Sequence, residues 1–222
     1  MKSQSFEKLI KEENEFKKFL YELLSENVSD LPLKSRDQQL EILKNGINIS
    51  YERFVQEMQE AFLLFIENIH IEESAQLDSI MQKLSLHQSK HIHKNLKKKV
   101  SLTSEDYRFL AEIAKRRFRD RHLNDASSMF RLIILLNPLY TPAWIGIALC
   151  LQERGELEEL DKLYQMAFPL CIASPIFCLC AAKHFVARGK TYEAKEICQA
   201  ALQQAHRENN EYKELKSIMD TL

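Results

Sequence analysis

The sequence is poor in the two residue types that most often interrupt helices. Among its 222 residues there are only four glycines and five prolines. Both are frequent in the turns of β-rich folds and unfavourable inside helices. Hydrophobic residues make up 45% of the chain and charged residues 28%, so the chain can bury a core and is not disordered. The composition therefore predicts an all-α fold of one or two domains.

Other absences exclude whole classes of protein. No apolar run approaches the roughly 18 residues that a membrane-spanning helix needs, so stable membrane insertion is not expected. The first residues, MKSQSFEKLIKEENEF, carry acids where a signal peptide has an apolar core, which favours a cytoplasmic protein. The formal net charge is −1, so no global field attracts nucleic acid. The sequence contains no glycine-rich phosphate loop, GxSxG or HExxH motif, and nothing in it indicates an enzyme.

The cysteines and histidines do not form a recognisable metal site. All five cysteines lie between Cys150 and Cys198 at core-type spacings, which favours buried free thiols in a reducing compartment. Cys178 and Cys180 are two residues apart on a predicted helix and point apart, so zinc binding is not expected. His87 and His91 share a helix face, but no third ligand is placed near them and adjacent lysines repel a cation. Neither a metal nor a cofactor is expected.

Two basic stretches are interpreted as solvated segments. Residues 87–99, HQSKHIHKNLKKK, predict a basic linker, with an anionic partner such as a membrane surface as the alternative. The arginines between Arg116 and Arg121 predict an exposed helix end. Phe118 is the only aromatic residue among them, so the series of stacking platforms that is typical of a nucleic-acid site is missing.

Residues of similar type recur at an offset of 34 positions in the second half of the chain. This offset is typical of the tetratricopeptide repeat, a helix–turn–helix unit. The sequence therefore predicts a helical solenoid of three repeats, with six helices from about Glu105 to Ala205 and with Trp144 and Tyr164 in the core. The main series are Ala114, Ala148 and Ala182; Leu110, Trp144 and Cys178; Ile113, Ile147 and Ala181; Phe130, Tyr164 and Cys198; and Gly155 and Gly189.

Turn residues refine this prediction. Gly155 and Gly189 fall between the two helices of a repeat, where a residue with positive φ ends the first helix. Arg121 stands at that position in repeat 1, so a less typical turn is expected there. Pro169 and Pro175 predict that the second helix of repeat 2 ends early, near Phe168.

The first hundred residues lack the repeat register and predict a separate helical region, 1–100. Amphipathic stretches predict helices over about 5–26, 36–70 and 74–86, with a candidate break at Asn45-Gly46 and the basic linker over 87–99. Residues 101–222 hold the three repeats and a C-terminal helix. The apolar stripes of region 1–100 must pack on each other, on the repeats or on a second copy. We favour a homodimer through the helix that contains Phe6 to Leu24.

The first helices of stacked repeats line a concave face that binds other proteins. Positions one turn away from the packing stripe are therefore the candidate client-binding groove. Its apolar members predict an exposed patch, and its lysines can hold backbone carbonyls or a carboxylate. In the alternative, the N-terminal arm covers some of them. The candidate positions are Ala111, Lys115, Phe118, Pro142, Ile145, Leu149, Ile176, Leu179, Lys183 and Val186.

Residues 102–202 resemble the translocator chaperones of type III secretion, the LcrH/SycD-like class. The stretches that carry the resemblance are LTSEDYRFLAEIAKRRF, IILLNPLYTPAWIGIALCLQERGELEELDKLY and SPIFCLCAAKHFVARGKTYEAKEICQAAL. The resemblance implies a cytoplasmic bacterial chaperone that holds a secreted, hydrophobic translocator client in its concave groove before export. It also implies dimerisation through N-terminal helices, although region 1–100 departs from the family, whose N-terminal region is much shorter. The alternative function is a general tetratricopeptide scaffold that joins two proteins and has no export role.

Overall fold

The computed structural model describes residues 18, 21, 22, 25, 28, 35–46, 51–85, 102–204 and 210–222. The described part of the chain contains no β-strand, so the all-α prediction is confirmed there. From residue 35 onward the described helices are α1 (Arg36–Gly46), α2 (Tyr51–Glu67), α3 (Ser74–Ser85), α4 (Ser104–Arg119), α5 (Leu123–Leu136), α6 (Thr141–Arg154), α7 (Leu157–Cys171), α8 (Pro175–Ala187), α9 (Thr191–Gln203) and α10 (Asn210–Thr221).

The described N-terminal residues include the helices α1, α2 and α3. Residues 47–50, between α1 and α2, lie outside the described residues, so the candidate break at Asn45-Gly46 stays a prediction. The helix predicted over 74–86 is α3. Residues 18, 21, 22 and 25 are helical, but the rest of the helix predicted over 5–26 lies outside the described residues. The same holds for the basic linker over 87–99 and for the proposed dimer contact through Phe6 to Leu24.

The chain folds into two compact units, which we call unit 1 (α2 to α6) and unit 2 (α1 and α7 to α10). Unit 1 holds both helices of repeat 1 and the first helix of repeat 2. Unit 2 holds the second helix of repeat 2 and both helices of repeat 3. Each unit also includes a helix from region 1–100, so the compact units do not coincide with the predicted division near residue 100.

The turns of the three repeats share one backbone conformation. Gly155 and Gly189 have φ values of 72° and 70°, as predicted for the residue that ends a first helix. Arg121 has a φ of 66°, so repeat 1 uses the same left-handed conformation with a residue that rarely adopts it. The amide of the next residue, His122, donates to the carbonyl of Arg117 at 3.0 Å and closes the turn. The repeat therefore keeps its turn geometry without glycine.

The core of unit 1 is built on the register positions. Leu110, Ile113, Ala114, Ile147 and Ala148 are all buried, on α4 and α6. Helix α5 packs against both of these helices. The predicted burial of the packing stripe is therefore confirmed in unit 1.

Two contacts fix the start of α6 within unit 1. The indole Nε1 of Trp144 donates to the carbonyl oxygen of Pro138 at 2.8 Å, and Trp144 is 3% exposed, as predicted for a core residue. Two residues later, a Cβ placed on Gly146 would lie 2.5 Å from the ring of Phe130. The absence of a side chain at Gly146 thus lets the ring of Phe130 pack directly on the backbone of α6.

Two ion pairs tie the N-terminal helices of unit 1 to α4. The guanidinium of Arg116 donates to both carboxylate oxygens of Glu73 at 2.7 Å and to the carbonyl of Asn68 at 3.1 Å. The ammonium of Lys83 donates to Asp106 at 2.7 Å. Asp106 also accepts from the backbone amide of Thr103, which caps α4. Helix α2 packs on α5 and buries Ala61 and Phe65, so the N-terminal segment 51–85 is an integral part of unit 1.

A buried carboxylate organises unit 2. Asp161 on α7 is 5% exposed and lies 2.6 Å from Nε2 of His184. It also accepts hydrogen bonds from Lys190 at 2.8 Å and from Arg188 at 3.3 Å. These partners come from the end of α8 and the turn before α9, so one side chain links three consecutive helices. Beside it, the ring of the buried Tyr164 lies 5.5 Å from that of Phe177, in an edge-to-face arrangement.

The prediction that α7 ends near Phe168 is wrong. The helix continues through Pro169 to Cys171. Pro169 lies in the last turn, where its missing N–H removes one of the few remaining intrahelical bonds. Residues 168 to 171 are all buried, and this burial offsets the loss.

The C-terminal helix continues the repeat register. Tyr212 and Leu215 are the buried residues of α10, and they stand 34 positions after Cys178 and Ala181. Helix α10 packs against both α8 and α9, as the first helix of a following repeat would. The C-terminal helix predicted from the sequence therefore has the role of a first helix.

We expect Trp144→Ala to lower the free energy of unfolding by roughly 3–5 kcal/mol, because it leaves a cavity in the core of unit 1. Thermal and urea melts followed by circular dichroism measure the loss. Trp144→Phe is the matched control, since it keeps one aromatic ring while removing the donor to Pro138 and only part of the buried volume; its loss should be smaller. A Trp144→Ala melt that barely moves would show that the register is misassigned.

Three ion-paired carboxylates make stability depend on pH. The hydrogen bonds from Arg116 hold the pKa of Glu73 below its ordinary value of 4.5. Burial alone would raise the pKa of Asp106 and of Asp161, but the bonds from Lys83 to the first and from Lys190 and His184 to the second lower both below 3.8. The unfolded chain therefore binds protons at a higher pH than the folded chain does.

Because these pKa values are depressed in the fold, the stabilisation is complete above about pH 5 and is lost as the pH falls through the folded values. We expect the urea midpoint to decrease steadily from pH 5 to pH 3. Glu73→Gln should show a shallower decrease than the parent, since one of the three groups no longer titrates. Parallel curves for the two proteins would contradict a role for the Arg116–Glu73 pair.

Candidate functional site

The predicted groove positions of unit 1 lie on α4 and α6. Leu149 is 42% exposed, and Pro142 and Lys115 are exposed as well. Ile145 and Phe118 are half-buried. Unit 1 therefore exposes an aliphatic side chain, Leu149, on α6, which is the first helix of repeat 2.

Ala111 is the exception, and the prediction that it faces a client is wrong. It is 1% exposed, so it offers no surface. On α4 it lies on the same stripe as Tyr107, whose ring is 5.6 Å from that of Tyr140, next to the start of α6. Because α4 packs against α6 as well as α5, this stripe belongs to the packing between first helices.

In unit 2 the predicted positions lie on α8. Ile176 is 53% exposed and Val186 is 42% exposed, both high values for aliphatic side chains. Leu179 is half-buried, and Lys183 is exposed. The sequence predicts that these residues form one patch with Leu149; because they belong to different units, the continuity of that patch stays a prediction.

Both predicted groove lysines are held by carboxylates of the chain. The ammonium of Lys115 donates to Glu112 at 2.6 Å, within α4. In unit 2 the ammonium of Lys183 lies 2.6 Å from a carboxylate oxygen of Glu214 on α10. The sequence predicts that these lysines can hold backbone carbonyls or a carboxylate. In both units a carboxylate of the same chain takes this role.

Two polar residues of these faces escaped the sequence analysis. Tyr140 lies in the turn before α6, where burial and the nearby Glu112 raise the pKa of its hydroxyl. Glu214 was missed because α10 was not recognised as a first helix. The register itself carried the signal: Glu214 stands three repeat lengths after Glu112.

The buried polar groups show no activated nucleophile among the described residues. Burial raises the pKa of Cys150 and Cys198 to about 11 and that of Cys178 to about 12, so these thiols stay protonated. Cys180 is half-buried, and burial raises its pKa too. Asp161 and His184 form a close pair, and their other neighbours are the cations Lys190 and Arg188 and the rings of Tyr164 and Phe185, which lie against His184. This arrangement supports packing and lacks the nucleophile that acid–base catalysis by such a pair would activate.

Within the described ranges, no three His, Cys, Asp or Glu side chains are placed so as to hold a metal ion. None of the described helices combines the length and the apolar character that crossing a membrane requires.

Comparison with known proteins gives structural likeness only. No protein-family model matches the chain, and no curated protein matches it significantly. The translocator chaperone SycD of the Yersinia enterocolitica type III secretion system is similar at 18% identity and a TM-score of 0.45, over 54% of this chain and 92% of that one. SycD in complex with a peptide of the translocator YopD is similar at 20% identity and a TM-score of 0.44, over 55% and 95%. PcrH from Pseudomonas aeruginosa is similar at 17% identity and a TM-score of 0.45, over 55% and 94%.

The similar structures include type III secretion translocator chaperones. This is the family that residues 102–202 resemble in sequence.

Proposed function

We propose that this protein is a non-catalytic chaperone of the bacterial cytoplasm. It holds an extended, apolar segment of a secreted, translocator-type client on the exposed faces of its first repeat helices before type III export. The observation that carries the proposal is the exposure of aliphatic side chains on those faces, with Leu149 on α6 and Ile176 and Val186 on α8.

The exposed aliphatic residues of the first-helix faces offer apolar surface that a client segment can bury. Burying one such side chain contributes on the order of 1.5–3 kcal/mol before ordering costs are subtracted. Three anchors of this kind contribute on the order of 4.5–9 kcal/mol before those costs, so the affinity is no tighter than the micromolar class. Such an affinity suits a protein that must release its client to a secretion machine.

The described N-terminal helices leave Lys115, Leu149, Ile176 and Val186 exposed. In unit 1, α2 packs mainly on α5, a second helix of a repeat, and makes a smaller contact with α4; in unit 2, α1 packs on α7, also a second helix. Helix α3 contacts α4 through Lys83, and the turn before α3 contacts it through Glu73. The helix predicted over 5–26 lies almost entirely outside the described residues, so cover of the groove by that part of the arm stays the alternative.

The alternative function is a tetratricopeptide scaffold that joins two folded proteins. A scaffold uses the same exposed faces, so co-expression with a membrane-active translocator distinguishes the two. A chaperone keeps the client soluble during synthesis, whereas a scaffold has no effect on its solubility.

We expect Leu149→Glu and Ile176→Glu each to abolish binding of the client segment, because each places a carboxylate where an aliphatic side chain must be buried. Both residues are well exposed, so the helicity and melting temperature should stay close to those of the parent. Isothermal titration with the co-purified client segment measures the affinity, and circular dichroism monitors the fold.

Leu63→Glu is the matched control, since Leu63 is 56% exposed but lies on α2, away from the first repeat helices. It should bind as the parent does. If both groove variants retained full affinity, the first-helix faces would not be the site. Loss of helicity in either variant would mean that the residue belongs to the core.

A further inference from the structure

Two lysine–glutamate pairs occupy equivalent register positions in the two units. Lys115 and Lys183 are two repeat lengths apart, and Glu112 and Glu214 are three repeat lengths apart. In unit 1 the pair joins two residues of α4, and in unit 2 it joins α8 to α10. The carboxylate thus comes from the same helix in one unit and from the next first helix in the other, yet both pairs fall on first-helix faces.

Each pair has unused hydrogen-bonding capacity. An ammonium group has three N–H donors and a carboxylate about four lone pairs, of which each pair uses one. The side chains of Lys115 and Glu112 are both 48% exposed, and those of Lys183 and Glu214 are 53% and 48% exposed. Each unit therefore presents a donor and an acceptor side by side to an incoming molecule.

A main chain in extended conformation is the partner that this combination fits. It offers a C=O acceptor and an N–H donor within one residue, and neither is satisfied internally. A partner helix has already paired these groups, and a partner carboxylate would meet a lysine that Glu112 or Glu214 already neutralises. The neighbouring aliphatic residues, Leu149 in unit 1 and Ile176 in unit 2, remain available to side chains.

We propose that the Lys115–Glu112 pair of unit 1 and the Lys183–Glu214 pair of unit 2 each bind the main chain of an extended client segment at the face of their own unit, while the exposed aliphatic residues of that unit, on α6 or on α8, bind its side chains. This inference rests on the proposed chaperone function and names the partner chemistry of the same faces. It assigns a role in recognition to Glu112 and Glu214.

The chain offers a matched control for this proposal. Lys162 donates to Glu159 at 2.7 Å within α7, with the same three-residue spacing as the pair on α4. This third pair lies on a second helix of a repeat, where no client is expected. Exposed pairs of this kind contribute little to stability, so removing any one of the three should leave the fold intact.

The experiment uses peptides selected from a random 12-residue display library on the immobilised full-length chain. Their affinities for the parent and for variants are measured by fluorescence anisotropy. We expect Lys115→Met and Lys183→Met each to weaken binding about three- to tenfold, the effect of losing one solvent-exposed hydrogen bond of ordinary net strength. Lys162→Met should leave the affinity unchanged. A single N-methyl group on the peptide backbone should weaken binding to the parent. The same N-methyl group should not further weaken binding to the Glu214→Met variant.

Other results would overturn the proposal. If Lys115→Met and Lys183→Met bind as Lys162→Met does, the pairs do not contact the client. If binding requires an acidic side chain of the peptide, and removing that side chain weakens binding as much as removing the lysines does, the lysines recognise a carboxylate instead of the main chain. Leu149→Glu and Ile176→Glu separate this failure from that of the proposed function: if they still abolish binding, the chaperone site stands without the pairs. If no peptide is selected, or if these two variants bind normally, the proposed function itself fails.

Discussion

A left-handed backbone residue at every 34th position is the constraint on which the repeat helices depend. Arg121, Gly155 and Gly189 have φ values of 66°, 72° and 70°. Each ends a first helix, and the second helix begins two residues later, at Leu123, Leu157 and Thr191. A left-handed conformation costs a non-glycine residue about 1–2 kcal/mol. That Arg121 adopts it anyway shows that the packing of α4 on α5 fixes the turn more strongly than the local preference of its residue does.

The packing that follows from these turns determines which faces remain open. Ala114 and Ala148 in unit 1, and Ala182 and Ala194 in unit 2, are all fully or nearly fully buried, so the helices of each unit approach closely along one stripe. A helix that buries one stripe against second helices keeps its opposite face for other uses. On α4 this face is charged, whereas on α8 it carries Ile176. The open faces are therefore a consequence of the repeat geometry, and their chemistry is free to vary between helices.

The sequence alone predicted the helices and the core well, because both follow from periodicity. The buried positions at Trp144, Tyr164 and Cys178 could be read from the offset of 34 residues without knowledge of any contact. The end of α7 could not be predicted in this way. The rule that proline ends a helix describes a local preference, whereas the burial around Pro169 results from tertiary packing. The candidate site was predicted less completely. Ala111 is covered by packing between first helices, which depends on where in the array a repeat lies.

The ion pair between Lys183 and Glu214 could not be predicted from the sequence, for a related reason. The two residues are 31 positions apart and meet only because α10 adopts the role of a first helix. Recognising α10 required the burial of Tyr212 and Leu215, since their side chains differ from those at the equivalent positions of repeat 3. The repeat register depends on residue size, because a following helix that packs closely requires a small residue. The described residues contain no helix after α10, so residue size is weak evidence for the register in α10.

Two kinds of group contribute to the proposed binding in different ways: the lysine–glutamate pairs bind the main chain of the client, and the aliphatic residues bind its side chains. Aliphatic contacts supply most of the affinity and tolerate exchange among side chains of similar size. Hydrogen bonds to the main chain add little net free energy, but they require an extended, unpaired backbone, which folded proteins rarely expose. A surface with both therefore selects the unfolded state of its partner more strongly than it selects a particular sequence.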